Sequence, residues 1–294
     1  MSTAGALITR ASRQLLSGTV EERNKLAATV TSSDTSITLS YDLGGFRAGS
    51  VIECESELMY IWEATTASKT LVVERGYAGT TAASHSAGTV LTVNPRFPRA
   101  QMLDSLNAEL DDLSSTMNGL YRVVATSLTY NGSDKQLNIT SAASIIELLD
   151  VRLRYLADEY PVIRGVRLQR DLPTTDFASG FSLVFDQPVM AGTLRVTYKA
   201  PFTRASTESS DLQTACFLPV TCEDIVEAGI VIRMMNAREI KRNFTESQSD
   251  TRRADEVPPG AVRDSISNLV RLRRDRITAE AARLKAQYPQ QFRR

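Results

Sequence analysis

Histidine is almost missing from this chain: one residue, His85, in 294. Histidine is the commonest general acid–base and metal-ligating side chain, so its scarcity narrows enzymatic and metal-centred chemistry alike. Cysteine is scarce too. Cys54, Cys216 and Cys222 are odd in number, and no two are spaced as CxxC. They make neither a disulfide framework nor a zinc site, and they read as reduced thiols in a reducing compartment. No stretch approaches the roughly 20 apolar residues of a membrane-spanning helix. The opening MSTAGALITRASRQLLSG lacks the apolar run of a signal peptide. Synthesis in a cytoplasm-like environment is expected, with no membrane partner. An excess of one charge is also lacking, with 34 Lys plus Arg against 34 Asp plus Glu. That balance argues against a chain basic throughout, as a general nucleic-acid coat would be.

Several chemical motifs are absent: the phosphate cradles GxGxxG and GxxxxGK[ST], the GxSxG elbow and HExxH. No cofactor, no metal and no catalytic residue is expected. His85 lies in Thr80-Thr-Ala-Ala-Ser-His-Ser-Ala-Gly88 between two strand patterns and reads as a surface or hairpin histidine with a local hydrogen bond. A hydrolase built on His85 is a distant alternative.

What is present is enough apolar material for ordinary cores: 42% of residues are hydrophobic. The periodicities imply an α+β fold, with two small all-β modules, amphipathic helices and a C-terminal helical arm. Residues 1–25 form an arm or short helix, with Leu7, Ile8, Ala11, Leu15 and Leu16 near one face. Residues 26–98 read as a small barrel or sandwich, from short runs at Ile37 to Tyr41, Val51-Ile52, Leu58 to Trp62, Leu71 to Val73 and Val90 to Val93. Within it Glu53, Glu55 and Glu57 read as a solvated hairpin edge. Residues 99–119 switch to helical spacing (Met102, Leu103, Leu106, Leu110, Leu113), opened by Pro98 and stopped by Asn118-Gly119. Asp104, Glu109, Asp111 and Asp112 mark the polar face.

Residues 120–203 return to β as a sandwich of about six to eight strands, with Asn131-Gly132 as a hairpin-type turn. Residues 204–244 are a polar connector and a helix that opens at Thr221-Cys-Glu-Asp224, its stripe being Ile225, Val226, Ile230, Met234, Ala237 and Phe244. Gly229 inside that helix costs about 1 kcal/mol unless close packing uses its small size. Residues 245–260 are a polar linker ending in Pro258-Pro259-Gly260, and residues 261–294 a basic helix or arm. The helix carries Ile266, Leu269, Ile277 and Leu284 on one side and arginines on the other. Two places are open to it: a partner chain, or a packed position on the 221–244 helix of the same chain. The length and polarity of the linker favour the partner.

One segment carries a family resemblance. Gly49-Ser-Val-Ile-Glu, Glu57-Leu-Met-Tyr, Leu71-Val-Val-Glu-Arg-Gly-Tyr-Ala-Gly-Thr-Thr and His85-Ser-Ala-Gly-Thr-Val-Leu-Thr-Val succeed one another. Asn24-Lys-Leu-Ala comes before them, and Asn94-Pro-Arg-Phe-Pro-Arg, an acidic helix and Gly119-Leu-Tyr-Arg follow. The order resembles the head-to-tail adaptor proteins of long-tailed actinobacteriophages, well over residues 24–130 and by layout elsewhere. Read physically, Arg75-Gly76-Tyr77 and Gly79 make a tight loop that glycine permits.

The resemblance implies a structural virion protein at the neck, assembled in the host cytoplasm. It implies a homo-oligomeric ring, commonly of twelve, that joins the portal protein to a tail or neck connector while double-stranded DNA passes through the lumen. Carried to this chain, the portal-docking arm would use Arg263, Arg271, Arg273, Arg274, Arg276, Arg283, Tyr288, Phe292, Arg293 and Arg294. The ring helix would present Ile225, Ile230 and Met234. A carbohydrate- or receptor-binding tail component, using Trp62 or Tyr77, is the alternative. The neutral net charge is itself a cancellation: residues 252–294 stand at +6, while 100–122 and 204–251 each stand at −3. That pattern suits contact between subunits or with an acidic partner, and intrachain pairing gives the same total.

Overall fold

A computed structural model describes residues 2–16, 19–139, 144–154, 159–246 and 261–288. The chain is α+β and divides into two compact units. Unit 1 comprises Met1–Glu109, Ala205–Ala215 and Glu223–Arg273, and unit 2 comprises Leu110–Arg204, Cys216–Cys222 and Arg274–Arg294.

Unit 1 holds one antiparallel sheet of six strands: β1 (Arg23–Lys25), β2 (Ser36–Thr38), β3 (Val51–Cys54), β4 (Glu57–Thr65), β5 (Thr70–Glu74) and β6 (Val90–Val93). Their spatial order is β1-β6-β3-β4-β5-β2. The sheet curls until its edges meet. Leu26 bridges Leu39, the Ala27 N–H donates to the Thr38 carbonyl at 2.9 Å, and the Ser40 N–H donates to the Lys25 carbonyl at 2.8 Å. Curling of this kind removes open strand edges. The short runs point Ile37, Ile52, Met59, Ile61, Leu71 and Leu91 inward around Phe46, and each buried aliphatic or aromatic side chain contributes about 1.5–3 kcal/mol.

Three helical segments and the start of the C-terminal helix add to this unit. Helix α1 (Ala4–Leu16) buries Ala4, Leu7, Ile8 and Ala11 on one face, and the Thr3 hydroxyl accepts the Ala6 N–H as its N-cap. Helix α2 (Arg99–Leu113) begins in unit 1 with Met102 and Leu106 fully buried. Its first N–H, that of Arg99, donates to the Glu53 carboxylate on β3. Helix α3 (Glu223–Glu246) packs on α1 through a buried stripe that includes Val226 and Val231. Acidic residues in its first turn suit the helix dipole, and Arg10 reaches Glu223 at 2.6 Å. The side chains of Ala237 and Phe244, expected on the same stripe, lie outside the described residues, as do 247–260 of the polar linker.

In unit 2, β7 (Arg122–Tyr130), β12 (Gly192–Ala200) and β9 (Glu147–Leu153) form one antiparallel sheet in that spatial order. Strands β10 (Val166–Gln169), β11 (Ser182–Phe185) and β8 (Gln136–Asn138) form the other. Both sheets feed a single apolar cluster containing Val151, Leu183, Leu194 and Val196. In it the Tyr130 and Phe185 rings lie 4.8 Å apart. The Asn131-Gly132 turn needs Gly132, at φ 81°, but it does not close a hairpin. Strand β7 pairs with β12 and β8 with β11, so this turn carries the chain from one sheet to the other.

The end of α2, with Leu110 and Leu113 buried, belongs to this unit. The helix stops at Leu113, before the expected 119. The left-handed Gly119 closes the turn that follows, its N–H donating to the Ser115 carbonyl at 2.9 Å. Helix α4 (Ala261–Gln287) gives residues to both units. The connector at 204–218, polar in sequence, nonetheless buries Leu212, Cys216 and Leu218.

Candidate functional site

The basic C-terminal helix was the expected docking element, and the structure divides its arginines. Arg263, Arg271, Arg274 and Arg283 are exposed. Arg273 is not. Its guanidinium donates twice to one oxygen of Glu109, at 2.5 and 3.0 Å, while Arg233 on α3 donates to the other at 2.5 Å. Glu109 is only 3% exposed, so its expected place on a polar face is corrected: it turns inward between two arginines. A buried carboxylate is tolerable because both oxygens are paired. Gly229 provides the room, since a Cβ there would stand 2.1 Å from the Glu109 carboxylate. The cost of glycine in a helix interior is thus offset by this close approach.

Further along α4, Arg276 donates to the Thr221 carbonyl at 2.9 Å, Arg283 pairs with Glu280 at 2.7 Å, and Ile277, Glu280 and Leu284 are buried. The helix therefore packs within its own chain over part of its circumference. Tyr288 is half-buried, and Phe292, Arg293 and Arg294 lie outside the described residues. Ile225, Ile230 and Met234, expected to face other subunits, are instead buried in the chain. These side chains serve the core, Met234 meeting Ser105 of α2 at 3.5 Å, and a subunit contact through them would require α3 to leave its place.

The densest polar constellation lies elsewhere, on the curled sheet. Glu57 opens β4, is 1% exposed, and has every carboxylate direction occupied. Arg75 donates to it through Nε and Nη2, both at 2.8 Å. The backbone N–H groups of Gly76 and Ala83 donate at 3.0 Å, and His85 Nε2 lies 2.8 Å away. The other ring nitrogen, His85 Nδ1, lies 2.8 Å from Glu55. Arg75 also donates to the carbonyls of Thr31, Asp34 and Ala83. The loop that carries these groups is glycine-dependent: Gly76 sits at φ 64°, and a Cβ there would come 2.9 Å from the Thr80 carbonyl.

Two expectations are corrected by this geometry. Glu53 and Glu57 are not a solvated edge: β3 and β4, which carry them, are both inner strands of the sheet, and both side chains are buried. His85 is not at the surface but 2% exposed, with partners 28 and 30 residues away in sequence. Burial would raise the Glu57 carboxyl, yet hydrogen bonds from Arg75, His85, Ala83 and Gly76 outweigh it and hold the group down at about 2. His85 is pushed up to about 10 by hydrogen bonding to the Cys54 side chain and to the Glu57 and Glu55 carboxylates, against burial. At neutral pH the ring is an imidazolium with both nitrogens engaged. It has no free lone pair with which to take a proton, and Glu57 has no proton to give. What the cluster can do is fix the shape of the 75–85 loop.

Glu53 behaves differently. Burial raises its carboxyl to about 7, with the Arg99 N–H opposing that rise. Among the described residues, no group of three His, Cys, Asp or Glu side chains is placed to hold a metal, and no helix is long and apolar enough to cross a membrane. All three cysteines are buried and none is in a disulfide.

Sequence reasoning missed the Glu109 and Glu57 centres. A single acidic residue reads as solvated unless its partner is near in sequence, and Arg273 lies 164 residues from Glu109. One usable signal existed: a glycine inside a helical stripe, at 229, marks a place where something comes close. Compared with protein-family models and with curated proteins, the chain matches neither.

Proposed function

We propose that the chain is a structural, non-enzymatic assembly protein of a virion. More specifically, it is a head-to-tail adaptor: a ring of subunits below the portal that links capsid to tail and lets the double-stranded genome pass through its lumen. The observation that carries this reading is α4. It follows a polar linker, packs by a narrow face containing Ile266, Ile277 and Leu284, and leaves Arg263, Arg271, Arg274 and Arg283 in solvent beside exposed Val270 and Leu272. Exposed arginine with exposed aliphatic surface is the composition of an interface rather than of a solvated face. The pinned loop at 75–85 supports the same reading, since its polar groups serve shape. The portal protein and a tail or neck connector are the partners, and the virion neck, assembled in host cytoplasm, is the location.

The test is co-sedimentation with portal rings from the same virus, using the full chain and a chain lacking residues 261–294. The full chain should sediment with the rings and the shortened one should not. A full chain that stays monomeric and ignores the rings overturns the proposal.

A second reading, a carbohydrate- or receptor-binding tail component, is favoured by one observation. Trp62 is 61% exposed and stands in edge-to-face contact with Tyr60, their centroids 4.8 Å apart. A flat glycan array with purified protein would remove it.

A further inference from the structure

Two surface features of unit 1 complement each other. The first is an aromatic knob. The register of β4 and β5 shifts between Ile61 and Glu63, and Trp62 occupies the bulge. A bulge re-aims a side chain and is a built feature of a strand. Here it turns the only tryptophan of the chain into solvent. Tyr60 touches Trp62, and Tyr77 of the pinned loop lies 5.4 Å from Tyr60. Glu74 stands directly across from Tyr60, and Glu63 across from the exposed Val72. Tyr60, Glu63, Val72 and Glu74 thus share the outer face of the sheet. Neither Glu63 nor Glu74 has an ion-pair partner among the described residues. The knob is aromatic and carries net negative charge.

The second feature is a cleft of about 460 Å³ along α1, lined by Gly5, Ala6, Thr9, Arg10, Arg13 and Arg99. Its lining includes the small residues Gly5 and Ala6. Arg10 and Arg99 are held in place by Glu223 and Glu208, at 2.6 and 2.5 Å. Arg13 is exposed and has no carboxylate partner among the described residues. Arg10 also pairs with Glu227, at 3.3 Å, so the cleft is lined by three guanidinium groups of which two are ordered by carboxylates and only that of Arg13 lacks one. An ordered guanidinium is a good surface for an indole, because the cation sits over the ring face with little entropy left to lose. The chain uses this contact elsewhere: Arg122 lies 4.0 Å from the Phe217 centroid and Arg195 lies 4.5 Å from that of Tyr160.

We propose that Trp62 of one copy seats in the Arg10–Arg13–Arg99 cleft of a second copy, with Glu63 and Glu74 facing Arg13. Trp, Tyr and Arg are the side chains that dominate interface energetics when they fill a pocket. Knob and cleft are different patches of one chain, so the contact is head-to-tail and repeats from copy to copy, which closes into a ring when the rotation allows. The inference rests on the ring reading above and assigns it a subunit contact that leaves α4 free for the portal.

The experiment uses the full chain and sedimentation velocity. Trp62→Ala and Arg13→Glu should each weaken self-association by at least about tenfold, with the melting temperature unchanged because neither side chain is buried. Arg13→Glu combined with Glu74→Arg should recover association. Because every native cysteine is buried, a chain carrying Trp62→Cys and Ala6→Cys should give a ladder of disulfide-linked multimers under mild oxidation. If the wild-type chain associates and Trp62→Ala associates equally well, this contact is wrong and the ring reading stands. If the wild-type chain never associates, alone or with portal rings, the ring reading and the contact are both overturned. Glycan binding that Trp62→Ala abolishes would assign the surface to a sugar and overturn the contact.

Discussion

The two β modules use their buried positions differently. The sandwich of unit 2 is apolar inside: Tyr130, Val151, Leu183, Phe185, Leu194 and Val196 fill the space between its sheets. The curled sheet of unit 1 has a comparable apolar core but adds a buried ionic cluster of Glu57, Arg75 and His85 at its rim. Apolar packing specifies volume and is indifferent to pH. A buried ionic cluster specifies direction, since each hydrogen bond fixes an angle as well as a distance, and it ties stability to protonation. The loop at 75–85 has little apolar material of its own, so its conformation depends on the cluster.

The largest effect expected from breaking this contrast is at Glu57. Glu57→Ala leaves buried Arg75 with backbone carbonyls alone and buried His85 with Glu55 alone, and should cost about 3–5 kcal/mol. Hydrogen exchange should show the loss concentrated at 75–85. Leu183→Ala should cost a similar ~2–5 kcal/mol in the sandwich by leaving a cavity, but with the same cost at every pH at which the chain is folded.

Next in size is the buried carboxylate of α2. Gly229→Ala pushes a methyl group into Glu109 and should cost about 1–3 kcal/mol. Faster exchange of α4 amides should accompany it, because Arg273 loses its fixed partner. Calorimetry and exchange together check both.

The pH dependence accumulates over three groups and has a definite sign. Glu57, held at about 2 against an ordinary value of 4.5, gives stability that is complete above about 4.5 and lost as the pH falls towards 2. His85, raised from 6.5 to about 10, gives stability that is complete below 6.5 and lost as the pH rises to 10. Glu53, raised from 4.5 to about 7, adds a loss over that interval. Unit 1 should therefore be most stable in mild acid and weaken towards alkaline pH. His85→Gln should flatten the part of that slope above 6.5. Smallest of all, Arg271→Glu with Arg274→Glu should leave the melting temperature almost unchanged, within about 0.5 kcal/mol. Scanning calorimetry would detect a larger drop, which would mean that these side chains pack within the chain.

Much of the fold was legible in local spacing. The runs at Val51-Ile52, Leu58 to Trp62, Leu71 to Val73 and Val90 to Val93 became strands, and the three- and four-residue spacing of Met102, Leu106, Leu110 and Leu113 became α2. What escaped was set by distant pairing. Asn131-Gly132 specified a turn, but which sheet receives the next strand depends on β12, some sixty residues on. Glu57 carried no local mark of burial, because Arg75 and His85 reach it only through the register of β4 with β5 and the return of the loop. The sequence leaves the place of α4 open between a partner and its own chain because its anchor, Glu109, stands on what reads as the polar face of α2.

His85, the single histidine, serves the cluster as a structural imidazolium. One histidine gives one set of imidazole resonances, so a nitrogen-detected pH titration of His85 in the full chain reads it directly. Both ring nitrogens should stay protonated from pH 5 to 8, with the midpoint well above the ordinary 6.5. A neutral ring, or a midpoint near 6.5, would contradict the cluster as a locked pin and return His85 to the candidates for acid–base chemistry.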